Sequence, residues 1–228
     1  MMFPKANKVS VITIDLDDTL WDNKPTLDCA EQILHNWLKQ KSPRIAELYS
    51  ISDLESHRRE IALENPGISH DLTLLRLKSL SQLCKEMGYM EEKAQEAISV
   101  FLEARNNVTL YNDVIPFLDK VSRNYKIVAL SNGNANVDVI GLGHYFTLTL
   151  SPSCVGSSKP EPDMFYHVIN QLNIEPESIL HVGDEPETDI LGAHRAGVYS
   201  VWLNRHGVDF PKHIPLPDME ITSLNQLA

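Results

Sequence analysis

The sequence predicts an α/β protein, in which a doubly wound parallel sheet is interrupted by an inserted all-helical domain. After residue 108, short apolar runs alternate with helix-like segments, which is typical of βαβ units and a parallel sheet. Between residues 23 and 107, apolar residues instead recur at spacings of three and four, which indicates amphipathic helices. We therefore expect a core of residues 1–22 and 108–228 and a helical domain of residues 23–107.

Composition and charge exclude several classes of function. The formal net charge is −11 and no run of lysine or arginine occurs, which argues against nucleic acid or an anionic membrane as the main partner. Three widely spaced cysteines give neither a disulfide framework nor a CxxC metal pattern. The N-terminal apolar run is too short for a signal peptide or a membrane span. We expect a cytoplasmic protein, as a monomer or small homo-oligomer.

The first predicted strand ends in a cluster of carboxylates. Residues 9–15, VSVITID, form an apolar run typical of a strand buried on both faces. Asp15 ends this run, and Asp17, Asp18 and Asp22 follow within a few residues. Like charges this close repel, and a buried carboxylate is costly unless it is paired or binds a cation. These residues either form a turn that faces water or lie beside a cation.

The inserted domain is predicted to contain four amphipathic helices. Pro43, Pro66–Gly67 and Gly88 separate them, as helix stops and turn formers. The four helical segments are residues 26–40, 44–64, 69–88 and 91–107.

The rest of the core is predicted to alternate between strands and helices. Four apolar runs predict strands at residues 125–131, 146–151, 178–184 and 199–204. Helical patterns occupy residues 112–124, 134–143, 162–173 and 187–197, the last closed by Gly197. The proline-containing tail, residues 211–228, is expected to wrap the surface of the core.

Polar side chains follow several of these strands at the point where each strand ends. In open α/β sheets, ligands bind beyond the carboxyl ends of the strands, so these side chains should meet in space. Carboxylates suit Mg²⁺, whereas a hydroxyl, free N–H groups and a lysine suit phosphate. Such a set favours phosphoryl transfer. The residues are Asp15, Asp17, Ser131, Asn132, Lys159, Asp184 and Asp189.

Four motifs in this order resemble those of the haloacid dehalogenase superfamily, phosphatase branch. They are DLDDTL at 15–20, SNG at 131–133, KPEPDMF at 159–165 and GDEPETD at 183–189. The resemblance spans essentially the whole chain and implies the Rossmann-like core of that family, with the inserted helices as its α-helical cap.

The resemblance implies a role for each carboxylate. Asp15 would be the nucleophile that forms an aspartyl-phosphate intermediate. Asp17 would protonate the leaving alcohol and then activate water. Mg²⁺ would be held by the carboxylates of Asp15 and Asp184 and by the backbone carbonyl of Asp17.

The resemblance also implies which residues hold the phosphoryl group. Ser131, the backbone N–H of Asn132 and Lys159 would bind its oxygens. Asp189 would orient the waters of the metal or pair with Lys159, and Thr19 would help to fix the first loop.

Further stretches resemble proteobacterial phosphatases that act on flavin mononucleotide and on 5-amino-6-(5-phospho-D-ribitylamino)uracil, a riboflavin precursor. They include SHDLTLLRLKSL and SNGNANVDVIGLGHYF. Trp21 could stack on a flat ring such as isoalloxazine, or it could pack between cap and core. Arg76 could reach the substrate, although a solvated helix face is the commoner place for such an arginine.

Other functions remain open at this stage. A phosphomutase, or a phosphatase of sugar phosphates or nucleotides, would share the motifs. A signalling module phosphorylated on aspartate would use similar groups, but the helical insert and the carboxylate of Asp17 argue against it. Dehalogenases proper need no metal and lack a carboxylate at the position of Asp17, which argues against dehalogenation. A catalytically dead binding protein is disfavoured because no motif residue is missing.

Overall fold

The computed structural model describes residues 8–227, so the expectations for residues 1–7 lie outside the described part of the chain. The chain forms two compact units. The first, the α/β unit, is made of Met1–Asp22, Thr109–Gly133 and Val137–Ala228. The second, the helical unit, is made of Asn23–Val108 and Asn134–Asn136.

The α/β unit is built on a parallel sheet, as predicted. Within residues 8–227, the sheet has six strands in the order β3-β2-β1-β4-β5-β6, and each neighbouring pair is parallel. The strands are β1 Val11–Ile14, β2 Lys126–Leu130, β3 Phe146–Leu150, β4 Ile179–Gly183, β5 Tyr199–Leu203 and β6 Met219–Ile221. Since β1 lies between β2 and β4, the residues that follow these three strands emerge side by side.

Helices cover the sheet and bury its apolar residues. All residues of β1 and β4 are buried, which explains why their sequences are nearly continuous apolar runs. One core cluster joins Val11 and Val128 of the sheet to Met164, Phe165 and Ala193. The helices of this unit are α6 Val114–Val121, α7 Val137–Ile140, α8 Pro152–Val155, α9 Asp163–Leu172 and α10 Leu191–Ala196.

Two segments of the α/β unit differ from the sequence prediction. The helix expected over residues 187–197 begins as a π-helical turn, Pro186–Ile190, and continues as α10. The tail adds the edge strand β6, which pairs with β5, where only a surface wrap was expected. Because β6 has three residues, its sequence is too short to show a strand period.

The helical unit has five α-helices among its described residues, where four were predicted. The segment predicted as one helix at 44–64 is divided into α2 and α3 at Tyr49 and Ser50. Ser50 forms a capping box with Asp53, and this box starts a new helix. The helices are α1 Asn23–Lys41, α2 Pro43–Leu48, α3 Ile51–Glu64, α4 Leu72–Glu86 and α5 Glu92–Arg105.

A short segment after β2 also belongs to the helical unit. The side chain of Asn134 donates to the Thr73 hydroxyl at 3.1 Å, and the backbone N–H of Asn136 donates to Asn106 Oδ1 at 2.7 Å. Across residues 8–227, none of the helices combines the length and the apolar character that crossing a membrane requires.

Candidate active site

Lys159 connects two buried carboxylates at the carboxyl edge of the sheet. Its Nζ donates to Asp15 Oδ1 at 2.6 Å, to Asp189 Oδ1 at 2.5 Å and to the Leu130 carbonyl at 2.7 Å. An ammonium group has three protons, so each proton has an acceptor. Burial alone would lower the pKa of Lys159, but the charges of Asp15 and Asp189 raise it above its usual value. Lys159 therefore stays protonated and places a positive charge beside Asp15.

Asp189 is held ionised by its surroundings. Its Oδ1 also accepts from His181 Nε2 at 3.1 Å, and its Oδ2 accepts from the Glu185 backbone N–H at 3.0 Å. Burial would raise the pKa of Asp189, but Lys159 and the hydrogen bond from His181 lower it below its usual value. Asp189 thus balances the charge of Lys159.

His181 lies on β4 as a hydrogen-bonded core residue. Because Asp189 can only accept, His181 Nε2 carries the proton and Nδ1 accepts from the Thr13 hydroxyl at 2.9 Å. Burial lowers the pKa of His181, which keeps the ring neutral. The contribution of Thr13 was not predicted, although a hydroxyl within a buried apolar strand could have indicated it.

Three carboxylates come close enough together to share one cation. Oxygen atoms of Asp15, Asp184 and Asp189 all lie within 4.8 Å of one another. Burial, and then the charge of Asp189, raises the pKa of Asp184 to about 7. Burial also raises the pKa of Asp15 well above its usual value, against the opposing charge of Lys159. Two carboxylates whose ionisation is opposed in this way, those of Asp15 and Asp184, fit a hard divalent cation such as Mg²⁺, which would restore their charged forms.

The loop after β1 is fixed by short internal contacts. Thr19 Oγ1 donates to Asp184 Oδ1 at 3.1 Å, which ties this loop to the residue after β4. The Trp21 indole donates to Asp17 Oδ1 at 2.9 Å, and the Asp18 backbone N–H donates to the Trp21 carbonyl at 2.8 Å. Asp18 has a φ of 60°, a left-handed conformation that closes the turn. Trp21 is 0% exposed, which favours packing over stacking on a substrate ring.

Two residues near the end of β5 support this edge and were missed by the sequence analysis. Arg205 donates to the Thr19 carbonyl at 2.9 Å and makes two hydrogen bonds to Asp113. The Trp202 indole donates to the Asp184 carbonyl at 2.7 Å. Neither residue belongs to one of the four motifs, so the motifs could not identify them. Their position in the chain could have done so, because the end of β5 lies at the same edge of the sheet as the motifs.

The loop after β2 brings Ser131 and Asn132 to this edge. The buried Ser131 hydroxyl accepts from the Gly133 backbone N–H at 2.9 Å. The Asn132 side chain makes two 2.8 Å hydrogen bonds to the backbone of Lys159, one to its N–H and one to its carbonyl. The side chain of Asn132 therefore positions Lys159.

Arg76 lies in the helical unit, where its charge is already paired. Its guanidinium makes hydrogen bonds to both carboxylate oxygens of Glu31, at 3.0 and 2.7 Å, and lies 3.5 Å from the centre of the Phe101 ring. Burial lowers its pKa to about 10. These contacts favour a packing role over both the substrate contact and the solvated helix face that the sequence left open.

Comparison with known proteins gives consistent matches over nearly the whole chain. A family model of haloacid dehalogenase-like hydrolases matches residues 9–197. The 5-amino-6-(5-phospho-D-ribitylamino)uracil phosphatase YigB of Escherichia coli (strain K12) is 31% identical, over 97% of this chain and 95% of that protein.

Solved structures give matches of the same kind. A 2-haloacid dehalogenase from Pseudomonas syringae pv. tomato DC3000 superposes with a TM-score of 0.90 at 33% identity, over 96% of both chains. A HAD phosphatase from Thermococcus onnurineus superposes with a TM-score of 0.65 at 25% identity, also over 96% of both chains.

Proposed function

Since the chain belongs to the haloacid dehalogenase-like hydrolase family, we propose that it is a Mg²⁺-dependent phosphatase that works through an aspartyl-phosphate at Asp15. The predicted family and the predicted enzyme class, phosphoric monoester hydrolase, are supported by relatives that are themselves phosphatases. The observation that carries the mechanism is Asp15 itself, a buried carboxylate at the end of β1 that is bound to Lys159 and lies beside Asp184.

Asp15 supplies the nucleophile in this mechanism. Its carboxylate attacks phosphorus, and the bond between phosphorus and the ester oxygen breaks, so one difficult step becomes two easier ones. Lys159 favours the ionised form of Asp15, against the effect of burial, and fixes one of its oxygens. Because Asp189 holds Lys159, and His181 holds Asp189, the nucleophile is oriented before the substrate binds.

Asp17 supplies proton transfer. Two residues beyond the nucleophile, it would protonate the leaving alcohol and then take a proton from the water that hydrolyses the intermediate. The hydroxyl of Ser131 and the backbone N–H of Asn132 would donate to phosphoryl oxygens, and Lys159 would balance their charge.

Magnesium would be held by the carboxylates of Asp15 and Asp184 and by the carbonyl of Asp17. Bound there, it would neutralise charge on the phosphoryl group. Thr19 and Trp202 keep Asp184 in place for this role, since each donates a hydrogen bond to it.

The proposed substrate is a small phosphorylated metabolite of the riboflavin pathway, flavin mononucleotide or 5-amino-6-(5-phospho-D-ribitylamino)uracil. The relative from E. coli, which is named for the second compound, supports this choice and aligns along 95% of its own length. Sugar phosphates and nucleotides are the alternatives.

Phosphate release from a panel of these esters, in Mg²⁺ and in EDTA, tests the proposal. Asp15→Asn should abolish release, while Asp28→Asn, the same change at an exposed position of the helical unit, should not. Release that survives Asp15→Asn would contradict the mechanism. If phosphate were released from sugar phosphates but from neither riboflavin-pathway ester, the proposed substrate would be wrong.

The similarity to the P. syringae dehalogenase favours hydrolytic dehalogenation as a second candidate. Asp17 argues against it, because dehalogenases proper lack this carboxylate. Adding 2-chloropropionate to the panel separates the two functions: chloride release without phosphate release would favour dehalogenation.

A further inference from the structure

The tryptophan beside the first motif contacts the group that would transfer protons. Trp21 is completely buried, and its indole N–H lies 2.9 Å from Asp17 Oδ1. The indole is also fixed through its backbone. Trp21 forms β-bridges with Asp17 and with Leu110, and its carbonyl accepts from the Asp18 backbone N–H at 2.8 Å. The ring therefore holds one oxygen of Asp17 from a rigid position.

The chemistry of the indole suits a partner that gains and loses a proton. An indole can donate a hydrogen bond but cannot accept one. It can bind Oδ1 both when Asp17 is ionised and when Asp17 is protonated on its other oxygen. A hydroxyl partner could reverse its hydrogen bond and compete for the proton. Trp21 therefore holds Asp17 without competing for its proton.

We propose that Trp21 is a positioning residue, which orients the carboxylate of Asp17 for proton transfer. This inference rests on the phosphatase mechanism proposed above. In the first step, the Asp17 carboxyl group gives its proton to the ester oxygen, while the bond between Asp15 and phosphorus forms and the bond between phosphorus and the ester oxygen breaks. In the second step, the Asp17 carboxylate takes a proton from the attacking water, whose oxygen bonds to phosphorus while the bond between phosphorus and Asp15 breaks, so that phosphate is released.

The two steps can be separated with 4-nitrophenyl phosphate. Nitrophenolate is a good leaving group and departs without an acid, so the initial burst reports only the attack by Asp15. The slower turnover that follows needs Asp17 as a base. For Trp21→Phe we expect a burst rate within about twofold of wild type and a steady-state rate roughly tenfold lower, a fraction of what a general base contributes.

A double-mutant cycle identifies the residue through which Trp21 acts. In the Asp17→Asn background, adding Trp21→Phe should change neither rate by more than about twofold, because the carboxylate is already gone. Trp37→Phe, the same change in the helical unit, is the control and should leave both rates unchanged. An additive loss in the Asp17→Asn background, or a burst that slows together with the steady state, would show a general structural role and overturn the inference.

A second readout does not depend on turnover. In the metal-free protein, the indole proton resonance of Trp21 should move upfield in Asp17→Asn, since a carboxylate is a stronger acceptor than an amide. If Trp21→Phe does not fold, benzothienylalanine at position 21 removes only the N–H and takes its place. An unchanged resonance, or an unchanged steady state, would overturn the inference. Absence of Mg²⁺-dependent turnover in the wild type would overturn the proposed function itself, before any variant is compared.

Discussion

At the scale of single residues, the site is organised by Lys159, which joins the two buried carboxylates of Asp15 and Asp189. Asp15 lies 144 positions from Lys159 in the chain and 2.6 Å from it in the structure. The sequence placed both residues at one edge of the sheet, because each follows a strand or lies near a strand end. The sequence could not reveal that all three protons of Lys159 are used, since this depends on side-chain geometry.

Lys159→Met is expected to destabilise the protein as well as inactivate it. The change leaves Asp15 and Asp189 buried beside each other without their shared cation, which should cost about 3–5 kcal/mol of unfolding free energy. Denaturant unfolding measures this cost. Lys126→Met at the exposed start of β2 is the control, and an equal effect of the two changes would argue against the ion-pair account.

Asp184 should make the stability of the metal-free protein depend on pH. Its pKa is raised to about 7 in the fold, against roughly 3.9 in an unfolded chain. The folded state therefore binds the proton more tightly, and its stability falls as pH rises from about 4 to about 7. In EDTA, Asp184→Asn should add about 1–2 kcal/mol of stability at pH 8, by removing an unfavourable buried charge, and nothing at pH 4.

Thermal unfolding at the two pH values tests this expectation. Mg²⁺ should raise the melting temperature of the wild type at pH 8 but not that of Asp184→Asn. The exposed Asp28→Asn provides the control. If Asp184→Asn raised the melting temperature equally at both pH values, the pH dependence of stability could not be assigned to Asp184.

At the scale of elements, the end of β4 positions the site by leaving no room for a larger residue. A Cβ at Gly183 would lie 2.2 Å from the Asp189 carboxyl carbon, so glycine lets Asp189 pack directly on the strand end. This close approach is invisible in the sequence, where Gly183 is simply the residue before Asp184.

Gly183→Ala is expected to displace Asp189 from Lys159 and to lower kcat by about a hundredfold, since small displacements of positioning groups cost this much. Gly67→Ala, where a new Cβ meets nothing within 4 Å, is the matched control for initial-rate measurements. Wild-type activity in Gly183→Ala would mean that the position of Asp189 does not matter.

Helices and strands with a long apolar pattern could be predicted from the sequence, whereas short ones could not. The buried strands and the periodic helices were recognised because several successive residues carry the signal. The break at Tyr49 and Ser50 was missed because the apolar period continues across it. The capping box that starts α3 there depends on only two side chains, those of Ser50 and Asp53. β6 was missed because a strand of three residues carries no period.

At the scale of the whole chain, the C-terminal segment is tied into the α/β unit by one buried carboxylate. Asp113 pairs with Arg205 and accepts from the Ser223 hydroxyl at 2.7 Å and the Leu224 backbone N–H at 2.9 Å. Arg205 also holds the Thr19 carbonyl of the first motif. Because these residues are far apart in the chain and belong to no motif, this link could not be predicted from the sequence.

Asp113→Ala should destabilise the protein by about 3 kcal/mol, because it leaves Arg205 without its partner. Burial would raise the pKa of Asp113, but hydrogen bonds from Arg205 and Ser223 lower it. Its contribution is therefore present at neutral pH and is lost as pH falls below about 4, its unfolded value. Urea unfolding at pH 7 and pH 3 checks this; a loss that is as large at pH 3 as at pH 7 would contradict it.

The central claim is that Asp15 becomes phosphorylated during turnover. The most direct measurement mixes Asp17→Asn with a phosphate ester and Mg²⁺, reduces the trapped acyl phosphate with borohydride, and locates the product by mass spectrometry. We expect homoserine at position 15 and at no other aspartate. Reduction at another residue, or full turnover by the wild type with no trapped intermediate and no dependence on Asp15, would contradict the account.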